Sequence, residues 1–203
     1  MILMGRYLSP FSRRCGVTLQ HYGIPYEHQS LNVMQQPDEV RASNPLVRIP
    51  ALILDDGETL VDSAVILDAL DHMVPADKAL TPRDGPERRR IMSLVGLGTG
   101  AAEKAVIVRM ERSFRPEDKI YEPWMEHCER QTKGGIEALD QMAQMPWIAG
   151  ENITQADITA VVVLEFLDII NPEFAERINC PNLREIVARL TDTPPFAETR
   201  PVM

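Results

Sequence analysis

Three short stretches of the chain carry residue types that could hold and activate a small ligand. The first is Ser9-Pro10-Phe11-Ser12-Arg13-Arg14-Cys15. Phe11, Cys15, Leu19 and Tyr22 recur at helical spacing after it, so Ser9 reads as an N-cap. Pro10 then takes the first helical position, where a missing N–H costs nothing. A helix start of this kind gathers a hydroxyl, unpaired backbone N–H groups and the positive end of the helix dipole. That combination suits an anion, for example a thiolate, and the stretch is expected to hold a bound thiol. A free thiol has a pKa of about 8.5, so a donor that favours the anion makes it a better nucleophile at neutral pH. Ser9 is the expected donor. Ser12, nearly one turn on, is the second candidate.

The second stretch is Arg48-Ile49-Pro50, directly before the apolar run Ala51-Leu52-Ile53-Leu54. Proline has no N–H for a central ladder and belongs at a strand start or an edge. A cis Ile49–Pro50 bond would turn the Ile49 backbone outward, where its N–H and C=O could pair with an extended peptide. Arg48 could reach a carboxylate at the far end of such a ligand. The third stretch is Asp62-Ser63, ahead of a helical pattern over 64–73. One reading is an N-cap and nothing more. The other places a ligand carboxylate at the Ser63 N–H and hydroxyl, and a ligand ammonium at Asp62.

The elements that position these stretches follow in order. Ile2-Leu3-Met4 is a strand core. The first helix ends at Gly23-Ile24-Pro25. Residues 26–29 are a weak strand, and a short helix falls around 38–42. Residues 51–54 and 59–61 flank Asp55-Asp56-Gly57-Glu58, a hairpin turn. Residues 76–85 are rich in proline and polar residues and read as a linker. The remainder is helical in pattern, with long helices over 87–113 and 117–145, the second of which could begin only at Pro123. Gly96, Gly98 and Gly100 mark either close helix packing or space for a second substrate. Ala101, Lys104, Ala105 and Val108 share a face that could wall such a pocket. Thr154 and Asp157 have capping-box spacing, with Ile153 and Ile158 as a hydrophobic staple.

Bulk properties narrow the function. The chain has 203 residues and a net charge of -9, with 44% hydrophobic and 25% charged residues. Such a composition is that of a globular protein, and the charge argues against a phosphate-backbone binder. No signal peptide or membrane span is read in the sequence. Cys15, Cys128 and Cys180 are too far apart for a disulfide framework or a zinc site, which suggests a reducing, cytoplasmic setting. His21, His28, His72 and His127 sit in no hydrolase context. Arg13 could add positive potential near the site, but an arginine in a first helix is more often solvated or salt-bridged. Cys15 faces the core and is a poor nucleophile.

Taken together, strand–Ser-Pro-Phe–helix, Asn44-Pro45…Ile49-Pro50, the hairpin and Asp62-Ser63–helix resemble the cytosolic glutathione transferases. The Ser-Pro-Phe spelling is similar to the tau class and to many bacterial members. The capping stretch around Thr154 and Asp157, and the closing Cys180–Phe196 stretch, resemble the family's helical domain. The resemblance implies a thioredoxin-like α/β domain over 1–75, with a mixed sheet and three helices, a linker over 76–85 and an all-helical domain over 86–203. It implies a glutathione transferase that activates the glutathione thiol for attack on a small electrophile, with glutathione as co-substrate and no metal. Ser9 would stabilise the thiolate. Phe11, Arg48, Ile49, Pro50, Asp62 and Ser63 would bind glutathione, with Asp62 shorter than the Glu or Gln usual at that position. A homodimer is implied, with no nucleic-acid or membrane partner. The alternatives are a glutathione-dependent isomerase or peroxidase, or a non-catalytic binding protein on the same fold.

Overall fold

The computed structural model describes residues 1–202, and the chain divides into two units. The first comprises residues 1–88 and 189–203, the second 89–188. Each is described separately.

The first unit is built on a four-stranded sheet of order β2-β1-β3-β4. Its strands are β1 (Ile2–Met4), β2 (Glu27–Gln29), β3 (Ala51–Ile53) and β4 (Thr59–Val61). β1 runs parallel to β2 and antiparallel to β3, with Leu3 opposite Leu52. β3 and β4 form the hairpin that Asp56-Gly57 signals. The helices are α1 (Pro10–Tyr22), α2 (Pro37–Ser43) and α3 (Ser63–Met73). Alternation along the strands sends Leu3 and Leu52 to one face, where Cys15 and Leu19 of α1 and Ile66 and Leu70 of α3 bury them. Met4 and Ala51 point to the other face, against Leu31 and Val40 of the α2 segment. This is the thioredoxin-like mixed sheet with three helices.

The second unit is helical. It contains most of α4 (Gly85–Phe114), then α5 (Glu122–Met142), α6 (Gln155–Ile170), α7 (Pro172–Glu176) and nearly all of α8 (Pro181–Leu190). α4 begins within the stretch read as linker. Pro123 does mark the first turn of α5, and Glu117–Lys119 forms a separate 3₁₀ turn. Gly98 is a packing glycine, since a Cβ there would meet Thr159 Cγ2 at 3.0 Å. Gly96 and Gly100 face open space instead. Ala101, Ala105 and Val108 are buried in this unit's own core. Lys104 is half-buried, with its ammonium 6.0 Å from the centroid of the Trp124 ring.

α4 has the length and hydropathy of a bilayer-spanning helix, which the reading of the sequence did not register. Its face from Ile91 through Leu94, Val95, Gly98 and Ala101 to Val108 is buried, as in the core helix of a folded domain.

Residues 189–203, which include α9 (Pro194–Ala197), belong with the first unit and not with the helices that precede them. The physical reason is Arg13. Its side chain is fully buried in α1 and donates to the carbonyls of Phe196 and Thr199. It is therefore not a solvated surface side chain, as its residue type suggested.

The start of α6 is a closed capping box. Asp157 accepts from the N–H of Ile148 at 2.8 Å and of Thr154 at 2.8 Å, and from the Thr154 hydroxyl at 2.9 Å. Asp157 is 0% exposed, so removing its carboxylate takes this acceptor from three donors in the interior. An unsatisfied buried donor costs about 1–3 kcal/mol. Asp157→Ala is expected to lower unfolding stability by about 3 kcal/mol, measured by urea denaturation.

Candidate functional site

The three stretches that could do chemistry converge at one end of the sheet in the first unit. α1 starts as the sequence dictates. Ser9 has φ -71 and ψ 121, and its Oγ accepts from the Ser12 N–H at 3.4 Å. An oxygen that only accepts within the chain keeps its proton for an outside acceptor. Ser9 and Phe11 are half-buried, whereas Ser12 is fully buried. The Ser12 hydroxyl has no hydrogen-bond partner and points at Gly5, where a Cβ would lie 2.6 Å from it.

The same absent Cβ of Gly5 would lie 2.7 Å from Ile49 Cβ. Gly5, at φ 124, is thus the narrow point at which the first turn of α1 and the Ile49 loop meet. The Ile49–Pro50 bond is cis. Among the described residues, neither the N–H nor the C=O of Ile49 enters a backbone hydrogen bond. Buried Asn44 holds the loop: its Nδ2 donates to the Arg48 carbonyl at 2.8 Å, and its Oδ1 accepts from the Leu46 N–H at 3.0 Å. Between them Val47 sits at φ 52, a left-handed conformation unusual for a β-branched residue. The Arg48 side chain is exposed.

The start of α3 closes the cluster. Asp62 is the N-cap, with φ 74, and its Oδ1 accepts from the Ala64 N–H at 2.9 Å. Ser63 is 4% exposed, and its carbonyl lies 4.0 Å from the Cys15 sulfur. That contact joins α3 to α1. The Asp62 carboxylate is therefore engaged in capping, while its outer side stays in solvent.

The reading of the sequence missed Arg14. It is buried, and its Nε has no hydrogen-bond partner. Burial lowers its pKa, while Cys15 and the carboxylate of Asp62 act in the opposite sense. A guanidinium so placed lacks a full counter-charge within the chain. The signal was positional: Arg14 follows Phe11 by three residues and so lies beside the buried face of α1.

Tyr7, also passed over, is tied inside. Its hydroxyl pairs with that of Tyr26 at 2.7 Å, and its ring stacks on His28 at 3.8 Å. Burial, helped by the Tyr26 hydrogen bond, pushes the Tyr7 phenol far above its ordinary range, so it stays protonated. Cys15 is inert for the same reason: burial pushes its thiol up to about 12, against the opposing pull of Arg14. Among the described residues no group of three His, Cys, Asp or Glu side chains could hold a metal ion.

The chain is similar to known proteins in both sequence and fold. Residues 3–78 match the glutathione S-transferase N-terminal domain, and residues 122–189 the C-terminal domain. The chain belongs to the glutathione S-transferase family. It is similar to a glutathione transferase family member from Pseudomonas fluorescens Pf-5, solved with bound glutathione. The two share 29% identity with a TM-score of 0.89, over 100% of this chain and 99% of that one. The uncharacterized GST-like protein YibF of Escherichia coli K12 is 25% identical over 99% of this chain and 98% of its own length. A maleylacetoacetate isomerase of Pseudomonas aeruginosa is 25% identical over 99% of this chain and 96% of its own length.

Within this transferase-family chain the buried thiols lead to a direct test. Cys15, Cys128 and Cys180 are all free and buried. The native protein should release almost no chromophore from an aromatic disulfide reagent, and all three thiols should titrate once it is denatured. Rapid labelling of native Cys15 would contradict its placement.

Proposed function

We propose that the protein is a glutathione transferase whose site is the cluster of Ser9, Ile49–Pro50 and Asp62–Ser63. The observation that carries this reading is the convergence, within one unit, of two helix N-termini and an Ile49 peptide that enters no backbone hydrogen bond. In this arrangement the cysteinyl backbone of glutathione pairs with the N–H and C=O of Ile49. The α-carboxylate of its γ-glutamyl group lies at the α3 N-terminus on Ser63, where Arg14 supplies positive potential from inside. Asp62 faces the ammonium. Arg48 is exposed and flexible enough to meet the glycyl carboxylate, and Phe11 lines the thiol side.

The chemistry is thiolate activation. Ser9 donates a hydrogen bond to the sulfur and does not itself ionise. The α1 dipole adds to the stabilisation of the anion. The thiolate then attacks a small electrophile: a carbon–sulfur bond forms and the electrophile's leaving group departs with its electron pair. Ser12 is packed inside and takes no part in this. An isomerase reading draws on the similarity to a maleylacetoacetate isomerase, and it would use the same thiolate as a reversible nucleophile.

The proposal extends to a cytoplasmic homodimer. Val65 and Met73 on α3 are apolar and exposed at 51% and 44%, and the cysteines are unpaired. Light scattering should give twice the chain mass.

The decisive experiment compares Ser9→Ala and Ser63→Ala with wild type, using a chloronitrobenzene-type electrophile. Ser9→Ala is expected to lower kcat about 100-fold with a small change in the KM for glutathione. Ser63→Ala should raise that KM about tenfold with a lesser effect on kcat. Equal activity of Ser9→Ala and wild type would reduce Ser9 to a cap. Turnover of maleylacetoacetate but of no alkylating or arylating electrophile would favour the isomerase.

A further inference from the structure

Arg13 heads the fully buried side chains by size, and its charge is satisfied by a remote part of the chain. Its Nε donates to the Thr199 carbonyl at 3.0 Å and its Nη2 to the Phe196 carbonyl at 3.3 Å. Phe196 lies in the last turn of α9, and Thr199 follows directly after its C-cap Glu198. The tail is folded on itself there, with the Thr199 hydroxyl donating to the Pro195 carbonyl at 2.8 Å. At its other end Arg13 belongs to the first turn of α1: its backbone N–H donates to the Ser9 carbonyl at 2.9 Å. One residue therefore joins the last helix of the chain to the turn that carries Ser9.

We propose that Arg13 is a positioning residue, clamping the C-terminal tail across α1 so that the Ser9 hydroxyl is held at the thiol position. The inference rests on the glutathione transferase reading above. A buried guanidinium tolerates little loss of its acceptors. Without the tail the guanidinium loses these two carbonyls, which favours a shift of α1 toward water, and Ser9 lies only one helical turn away. Displacing a donor by a fraction of an ångström affects a reacting sulfur more than it affects ligand affinity. The Ile49 and Ser63 contacts stand on other elements and are disturbed less than Ser9, which is part of the α1 turn itself. The expected signature is thus a loss of kcat with the glutathione KM nearly preserved.

Arg13→Met, Arg13→Lys and a chain ending at Asp192, which lacks α9 and both acceptors, test this. Steady-state kinetics is read beside hydrogen exchange of the Ser12 and Arg13 amides. Arg13→Met and the shortened chain are each expected to lower kcat about tenfold or more, with KM within about threefold. Both should speed exchange in the first turn of α1. Arg13→Lys, which keeps a charged donor, should recover part of kcat. Combining Arg13→Met with the shortened chain should be no worse than either alone. If Arg13→Met fails to fold, the shortened chain carries the same comparison. The proposal is overturned if the shortened chain keeps wild-type kcat and amide exchange. It is equally overturned if kcat falls only in proportion to the folded fraction. A wild-type protein that binds no glutathione would defeat the functional reading instead, and amide exchange would still decide whether the clamp exists.

Discussion

The constraint on which the first unit depends is the burial of two consecutive arginines in its first helix. From Ser12 to Leu19 every residue of α1 is buried. Taking an unpaired guanidinium out of water costs several kcal/mol, so each charge must find compensation. Arg13 finds it in the carbonyls of the tail. Arg14 has only the field of the Asp62 carboxylate, with its Nε unpaired. The two side chains leave the helix in different directions and make different demands. One holds the fold closed. The other leaves positive potential beside the start of α3, where an anion would be welcome.

The loops in front of α1 answer to the same crowding. Gly5 has no side chain because Ser12 and Ile49 occupy the space one would need. The loop from Asn44 to Pro50 is held by a buried amide, not by strand pairing, which leaves the Ile49 peptide without a backbone partner. Val47 in a left-handed conformation and Asp62 at φ 74 flank this region. Positive φ in residues other than glycine costs energy and persists where the surroundings impose it. Here the surroundings are a tight helix turn, a buried Asn and a capping carboxylate, all within one unit.

Much of this was legible in the sequence because the deciding interactions are local. A Ser-Pro helix start, an Asp-Gly hairpin and a Thr-x-x-Asp box each depend on residues within a few positions. Their placement agrees with the structure, from the Ser9 cap to the Asp157 box. What stayed hidden depends on distant partners. Arg13 looks like any surface arginine until Phe196 and Thr199 are brought beside it. The tail looks like the end of a helical domain for the same reason. Ala101, Ala105 and Val108 shared a face, but nothing in their spacing told a pocket wall from a core. Their neighbours across the helix packing, among them Gly135 and Met125, show only in the structure.

The chain contains the same capping chemistry in opposite states, and the contrast separates structure from function. At Thr154 the box is closed: hydroxyl, carboxylate and backbone donors satisfy one another in the interior, and nothing is left to offer a ligand. At Ser9 the cap contact is a long 3.4 Å, no carboxylate stands at the third helical position, and the hydroxyl is half-exposed. At Asp62 the carboxylate caps one N–H with its outer side in solvent. Sequence alone ranks Thr154 the best cap of the three, since it has its acidic partner. A complete cap is chemically silent. It is the incomplete ones, with helix N–H groups still unpaired and positive potential behind them, that retain the capacity to hold an anionic ligand.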